Sequence, residues 1–215
     1  MKRNLFILLT AFMFACVTAR RHATKPWQGK MQSIPGRLEC EFYDEGGEGI
    51  AYHDTDSINN GSGKLNPANG DYFNEFRKGE GVDISFTKGG DIDNNAYNKI
   101  TPVLKSLYVG WTKPGEWINY TVAVKETALY QLGLQYTANG DGSIAIETDG
   151  SQLGQPLFIS STHDDHDTIP WRQWHHWNRI DSLGEISLQK GIHALRLRIV
   201  ANGNMNLDYI IFSRK

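Results

Sequence analysis

The sequence predicts an all-β domain, an antiparallel β-sandwich of jelly-roll type, and three observations carry that prediction. Short runs of apolar and polar alternation recur along the chain. Turns rich in Gly, Asn and Asp separate them, and no window of a dozen residues keeps the three-and-four apolar spacing of a helix. Eight or so short strands punctuated in this way belong to two stacked sheets.

The chain opens on Met1-Lys2-Arg3-Asn4 and an apolar run from Leu5 to Ala15, the basic and hydrophobic regions of a secretory signal peptide, with Val17-Thr18-Ala19 supplying small residues for cleavage. The run is shorter than the roughly 20 residues of a bilayer-spanning helix, and no other stretch is a transmembrane candidate. Cys16 follows the apolar run directly, so a lipid anchor there is the alternative to soluble export. Either way the expected location is secreted or cell-surface. With residues 1–19 removed, Cys40 is the remaining cysteine, which excludes an intramolecular disulfide. Residues 20–36 are basic, lack periodicity and read as a lead-in segment. The domain is expected over 37–215, enough for a single sizeable core. With 22 basic against 24 acidic residues and a formal net charge of −2, the chain lacks the basic stripe of a nucleic-acid binder.

Strands are expected over 38–43, 82–86, 117–124, 130–136, 144–148, 186–188, 193–200 and 206–212. In the seventh, Leu195, Leu197 and Ile199 share one face while Arg196 and Arg198 share the other. Asn139-Gly140-Asp141-Gly142, Asp149-Gly150 and Asn202-Gly203-Asn204 supply turns. The stretch 54–98 is long and rich in Asn, Gly and Asp, the kind of loop that is functional or disordered in a compact domain.

Within Arg37–Phe42 the alternation turns Leu38, Cys40 and Phe42 inward and sets Glu39 and Glu41 together on the opposite face. Two carboxylates so placed repel. They are either solvated or neutralised by a cation, and calcium is the hard ion that carboxylates and loop carbonyls suit. The aromatic residues point elsewhere. Trp111, before the Lys113-Pro114-Gly115 corner, is a surface candidate, and Trp117 a core candidate. Three more of the six tryptophans fall within Trp171–Trp177. As a strand this segment puts Trp171, Gln173, His175 and Trp177 on one face and Trp174 and His176 on the other, so at least one indole stays exposed. An exposed indole near loops suits the C–H face of a pyranose, with about 1 kcal/mol per ring contact by analogy with aromatic pairs. His163-Asp164-Asp165-His166-Asp167 has ligand-type residues but no flanking element to converge them, and reads as a solvated loop.

Ile34 to Asp44, Gly46 to Asp54, Val109-Gly110-Trp111 through Tyr120, and Asn206-Leu207-Asp208-Tyr209-Ile210 together resemble carbohydrate-binding module family 6, from about Ile34 to the C-terminus. The resemblance implies a galactose-binding-like sandwich with a structural calcium and a sugar cleft formed by loops at one end. It implies Glu39, Glu41 and Asp208 as calcium ligands with a carbonyl near Arg77, Trp111 and Trp171 as the aromatic pair, Asn206 or Asn204 as the cleft asparagine, and Asp54 with Tyr52 as further cleft residues. Cys40 stands where the family usually has Ala, and a small buried hydrophobe fits there. The implied function is non-catalytic: holding a polysaccharide or oligosaccharide, alongside glycoside hydrolases acting on the same glycan. Two other readings are a small jelly-roll glycoside hydrolase using Glu39 and Glu41 as its carboxylate pair, and a cell-surface adhesion subunit.

Overall fold

The computed structural model describes residues 24–215. The expected signal peptide and Cys16 lie outside the described residues. The strands are β1 (Gln32–Ile34), β2 (Gly36–Glu39), β3 (Tyr52–His53), β4 (Ser62–Gly63), β5 (Asn66–Pro67), β6 (Ile84–Phe86), β7 (Leu107–Val109), β8 (Trp117–Val124), β9 (Ala128–Ala138), β10 (Gly142–Thr148), β11 (Ser151–Gln152), β12 (Leu157–Ile159), β13 (Asn178–Leu188), β14 (Gly191–Ala201) and β15 (Met205–Arg214). One sheet runs β1-β8-β14-β10-β11, with β3 also on β8 and β12 also on β10. The other runs β13-β9-β15-β7-β6, with β2 also on β15, and β4 and β5 form a separate parallel pair.

Period-two alternation fills the space between the sheets. β8 contributes Ile118, Tyr120, Val122 and Val124, β14 contributes Leu195, Leu197 and Ile199, and β9 contributes Tyr130, Leu132, Leu134 and Tyr136. Burying each large aliphatic chain contributes about 1.5–3 kcal/mol. The outward residues of β14 find polar partners: Arg196 Nε donates to Asn119 Oδ1 at 2.9 Å and Arg198 Nε to Glu147 Oε1 at 2.7 Å.

Four features depart from simple alternation. The chain before Arg37 is part of the domain, because β1 pairs parallel with β8, Lys25 bridges Glu45, and Trp27 packs on Phe76 at 5.3 Å. A three-residue strand is too short to show a period. Trp117 is not core: with Ile118 and Tyr120 facing inward it lies on the outer face, where the Arg196 guanidinium sits 3.8 Å over its ring. The first predicted strand stops at Glu39, and the turn that follows buries Glu41 instead of leaving it on a wet face. The segment 171–177 is no strand, since Pro170–Arg172 form a 3-10 turn with Pro at its start, where the missing N–H does no harm.

β15 carries a bulge that matters for the acids. Leu207 pairs with Tyr136 and Tyr209 with Gln135, so Asp208 is the extra residue. Met205 and Leu207 before it, and Ile210 and Phe212 after it, all remain in the core.

Candidate functional site

Trp111 follows β7 through Gly110 and holds a left-handed backbone (φ 47°). Three contacts fix this turn: Trp111 N–H donates to Asn206 Oδ1 at 3.2 Å, Thr112 N–H to the Met205 carbonyl at 3.3 Å, and Asn204 N–H to the Thr112 carbonyl. Glycine is required at 203, since a Cβ there would lie 2.0 Å from the Thr112 oxygen.

Trp171 sits on the 3-10 turn and is 55% exposed. Its neighbour Arg172 is anchored below it, Nε to Asp167 Oδ2 at 2.6 Å and Nη2 to Oδ1 at 2.9 Å, while Nη1 reaches the Asp91 carbonyl at 2.7 Å. His176 Nε2 lies 2.9 Å from Asp167 Oδ2. Hydrogen bonds from Arg172 above all, together with His176, hold the buried Asp167 carboxyl below the usual carboxylate range. Asp167 is therefore an anchor, unlike its solvated neighbours Asp165 and His166.

Between these supports lies a cleft of about 330 Å³ lined by Trp111, Trp171 and Trp174, by Tyr108 and His175, and on its remaining side by Leu65, Lys88, Ile92 and Asp93 from the long 54–98 segment. A hydrogen-bonded chain runs beneath it. Asn206 Oδ1 accepts from Trp111, and its Nδ2 donates to Thr137 Oγ1 and to His175 Nδ1, each at 2.9 Å. His175 Nδ1 is thus an acceptor, and Nε2 carries the proton donated to Asp93 Oδ1. Asp93 Oδ1 also accepts from Trp177 Nε1 at 2.9 Å. Burial pushes the Asp93 carboxyl up, but the bonds from His175 and Trp177 outweigh it and leave it below its ordinary value. Two walls drawn from distant parts of the chain therefore share one polar floor.

Such a cleft offers apolar aromatic faces backed by satisfied polar groups, the composition of a small-molecule site. The model of the carbohydrate binding module (family 6) matches residues 75–214. The chain belongs to carbohydrate-binding module family 6. No curated protein matches it. Among solved structures, the family 6 module has the fold of a β-1,3-glucan-binding member from Bacillus halodurans, at 15% identity and a TM-score of 0.50, over 85% of this chain and 98% of that one. It also overlays a glycoside hydrolase family 43 arabinoxylan arabinofuranohydrolase from Bacillus subtilis, solved with cellotetraose, at 14% identity and a TM-score of 0.52, over 86% of this chain and 28% of that one.

The residues expected of this module do not all meet. Trp111 and Trp171 line one cleft, and Asn206 lies buried under it. Asn204 closes the Trp111 turn through its backbone. Tyr52 and Asp54 do not line the cleft. The Tyr52 hydroxyl is buried and accepts from Gly81 N–H at 3.0 Å, and Asp54 lines a separate small enclosure with Glu116. Burial, with Glu116 and Asp83 adding repulsion, raises Asp54 to about 7. Residue type alone missed Lys88, Asp93, Tyr108 and His175. The length of the 54–98 segment was the one signal that pointed to its share.

The expected metal ligands lie elsewhere. Glu39 and Glu41 line one groove with Arg37, Tyr72 and Ser106, and Ser106 Oγ donates to Asp208 Oδ1 at 3.0 Å. Gln135 Nε2 donates to Asp208 Oδ2 at 2.6 Å, and Arg37 pairs with Glu39. Glu41 Oε2 is buried and has no hydrogen-bond partner among the described residues. Burial, with Glu39 and Asp208 adding repulsion, pushes the Glu41 carboxyl well up, and burial raises Asp208 to about 6. Among the described residues no three His, Cys, Asp or Glu side chains close into a metal cage. Arg77 does not line the groove. Its guanidinium donates to the Tyr43 and Asp44 carbonyls, and its own carbonyl accepts from Glu80 N–H.

Proposed function

We propose that this module is exported and holds an oligosaccharide or polysaccharide, without cleaving it, with one sugar ring against the indoles of Trp111 and Trp171. The observation that carries this reading is that both tryptophans line one cleft and one of them is more than half exposed. A large exposed aromatic side chain held in place by a buried ion pair is a binding surface rather than a packing residue. Hydrolysis needs two carboxylates flanking the scissile bond. The cleft is lined by a single carboxylate, Asp93, whose oxygens already accept from His175, Trp177 and Lys88 N–H.

Isothermal titration against a polysaccharide panel tests the site. Binding in the range of about 1 mM to 1 μM is expected, with a loss of at least tenfold in Trp171→Ala. Equal binding by the variant would remove this cleft from the reading.

A structural calcium belongs to the same proposal. The donor set is hard oxygen, and the buried unpartnered Glu41 Oε2 beside two further carboxylates is the feature that a cation would satisfy. Glu39, Glu41 and Asp208 would hold it once drawn closer together, while the Arg77 carbonyl, which accepts from Glu80 N–H away from the groove, would not be a ligand. Its contribution would be charge compensation that ties β2 to the β15 bulge.

A further inference from the structure

We infer that the tryptophan cleft selects an acidic sugar, one bearing a carboxylate or a sulfate ester, and that Lys88 is the residue that selects it. The inference rests on the reading of the cleft as a saccharide site and adds the class of saccharide.

It follows from which polar groups of the cleft are already used. A neutral sugar presents hydroxyls, each both donor and acceptor, so a site built for it offers both kinds of partner. Here each carboxylate, amide and imidazole acceptor of the cleft already holds at least one hydrogen bond from the protein. Asp93 Oδ1 takes hydrogen bonds from His175 and from Trp177, and Oδ2 takes the Lys88 backbone N–H at 2.6 Å. Asn206 Oδ1 takes the Trp111 N–H, and His175 Nδ1 takes the Asn206 amide. The Tyr108 side chain is buried.

The donors are left over. Among the described residues the Lys88 ammonium has one long contact, to Ser85 Oγ at 3.5 Å, and lies 4.6 Å from the Phe86 ring centroid. It forms no ion pair there with Asp93, whose charge is taken up by the three bonds above. Burial pushes the Lys88 ammonium down from its ordinary value, with Asp93 opposing the shift. A half-buried cation short of hydrogen-bond partners, at the edge of an aromatic cleft, gains most from an anionic acceptor, because charge-assisted bonds are roughly twice as strong as neutral ones. Lys88 lines the same cleft as the indoles of Trp111, Trp171 and Trp174.

Calorimetry on the whole chain decides the matter with two matched ligand pairs: a uronic-acid oligosaccharide with its carboxyl-reduced counterpart, and a sulfated oligosaccharide with its desulfated counterpart. The expected result is that the acidic member of at least one pair binds about tenfold tighter at low ionic strength, with the gap narrowing as salt is raised. The pair that shows it identifies the anion. Lys88→Met is expected to bring the gap below about twofold, and Lys88→Arg to keep it, which separates loss of charge from loss of fold. Equal affinities within both pairs, or an undiminished gap in Lys88→Met, would overturn the inference alone, provided that Trp171→Ala still loses the neutral sugars. Failure of the unmodified chain to bind any of the four ligands, or any of the polysaccharide panel, would overturn the saccharide reading with it.

Discussion

Two buried acidic centres in this molecule are built on opposite principles. Under the Trp171 turn, Asp167 is fully buried and matched by two guanidinium bonds and an imidazole. Beside β2 and the β15 bulge, Glu41 and Asp208 are equally buried, yet Glu41 Oε2 has no partner. The electrostatic consequences differ in sign. Asp167 is held below the ordinary carboxylate range by Arg172, whereas burial drives Glu41 and Asp208 above it. A matched acid positions a surface that must stay rigid in water, and an unmatched one keeps a demand for positive charge.

The largest effect should come from breaking the matched centre. Asp167→Ala strands the Arg172 guanidinium in a buried setting, and a loss of about 3–5 kcal/mol in urea denaturation is expected. A loss below about 1 kcal/mol would mean that the pair anchors nothing.

The unmatched centre should respond to metal. Calcium at about a hundred times its dissociation constant should stabilise the fold by about 2.7 kcal/mol, and chelation should reverse it. Glu41→Gln should blunt the response, read as the shift in melting temperature. A chain whose melting is indifferent to calcium would turn the orphaned oxygen into a simple defect.

The cleft floor lies between these cases, since every one of its polar groups is matched but none is paired as strongly as Asp167. His175→Phe leaves Asp93 and the Asn206 amide each short of a partner, which should cost about 1–3 kcal/mol and weaken sugar binding, because Asn206 also holds the Trp111 turn. Unchanged denaturation would show that the floor has rearranged around the phenyl ring.

The smallest effect is expected from pH. Asp54 at about 7 and Asp83 at about 6 are raised chiefly by burial, so the folded chain takes up protons that the unfolded chain does not. Their contribution to stability is full below the ordinary carboxylate value of about 4 and is lost as pH rises through about 6 to 7. Asp54→Asn should flatten the stability profile between about pH 4 and pH 7. An unchanged slope would assign it to other groups. Asp93 and Asp167, held low, act in the opposite sense and lose their contribution on acidification.

Strand alternation was legible where strands are long. Leu195, Leu197 and Ile199 face inward as their spacing predicts, whereas β8 alternates but buries Ile118, Tyr120 and Val122, the face opposite to the one on which Trp117 was expected in the core. It failed where a turn imitates alternation. Trp171 to Trp177 reads as two strand faces, but Pro170 and the Asp167–Arg172 bond wind it into a 3-10 turn that exposes Trp171 and buries Trp177. Trp111 and Trp171 were legible as cleft residues by resemblance and by the exposure that surplus tryptophans imply. Lys88, Asp93 and His175 were not, because nothing local distinguishes them. His175 meets Asp93 across 82 residues, and Trp111 meets Asn206 across 95.

By itself, then, the sequence determined a two-sheet sandwich and the period-two alternation of its long strands, since period two is a property of the backbone within one strand. Which face of β8 enters the core was decided by the fold. Tertiary structure alone decided which carboxylates are matched and which are left over, and how the walls of the cleft meet. A buried charge is governed by whatever groups the fold brings within hydrogen-bonding distance, and here those groups come from segments that share no local pattern.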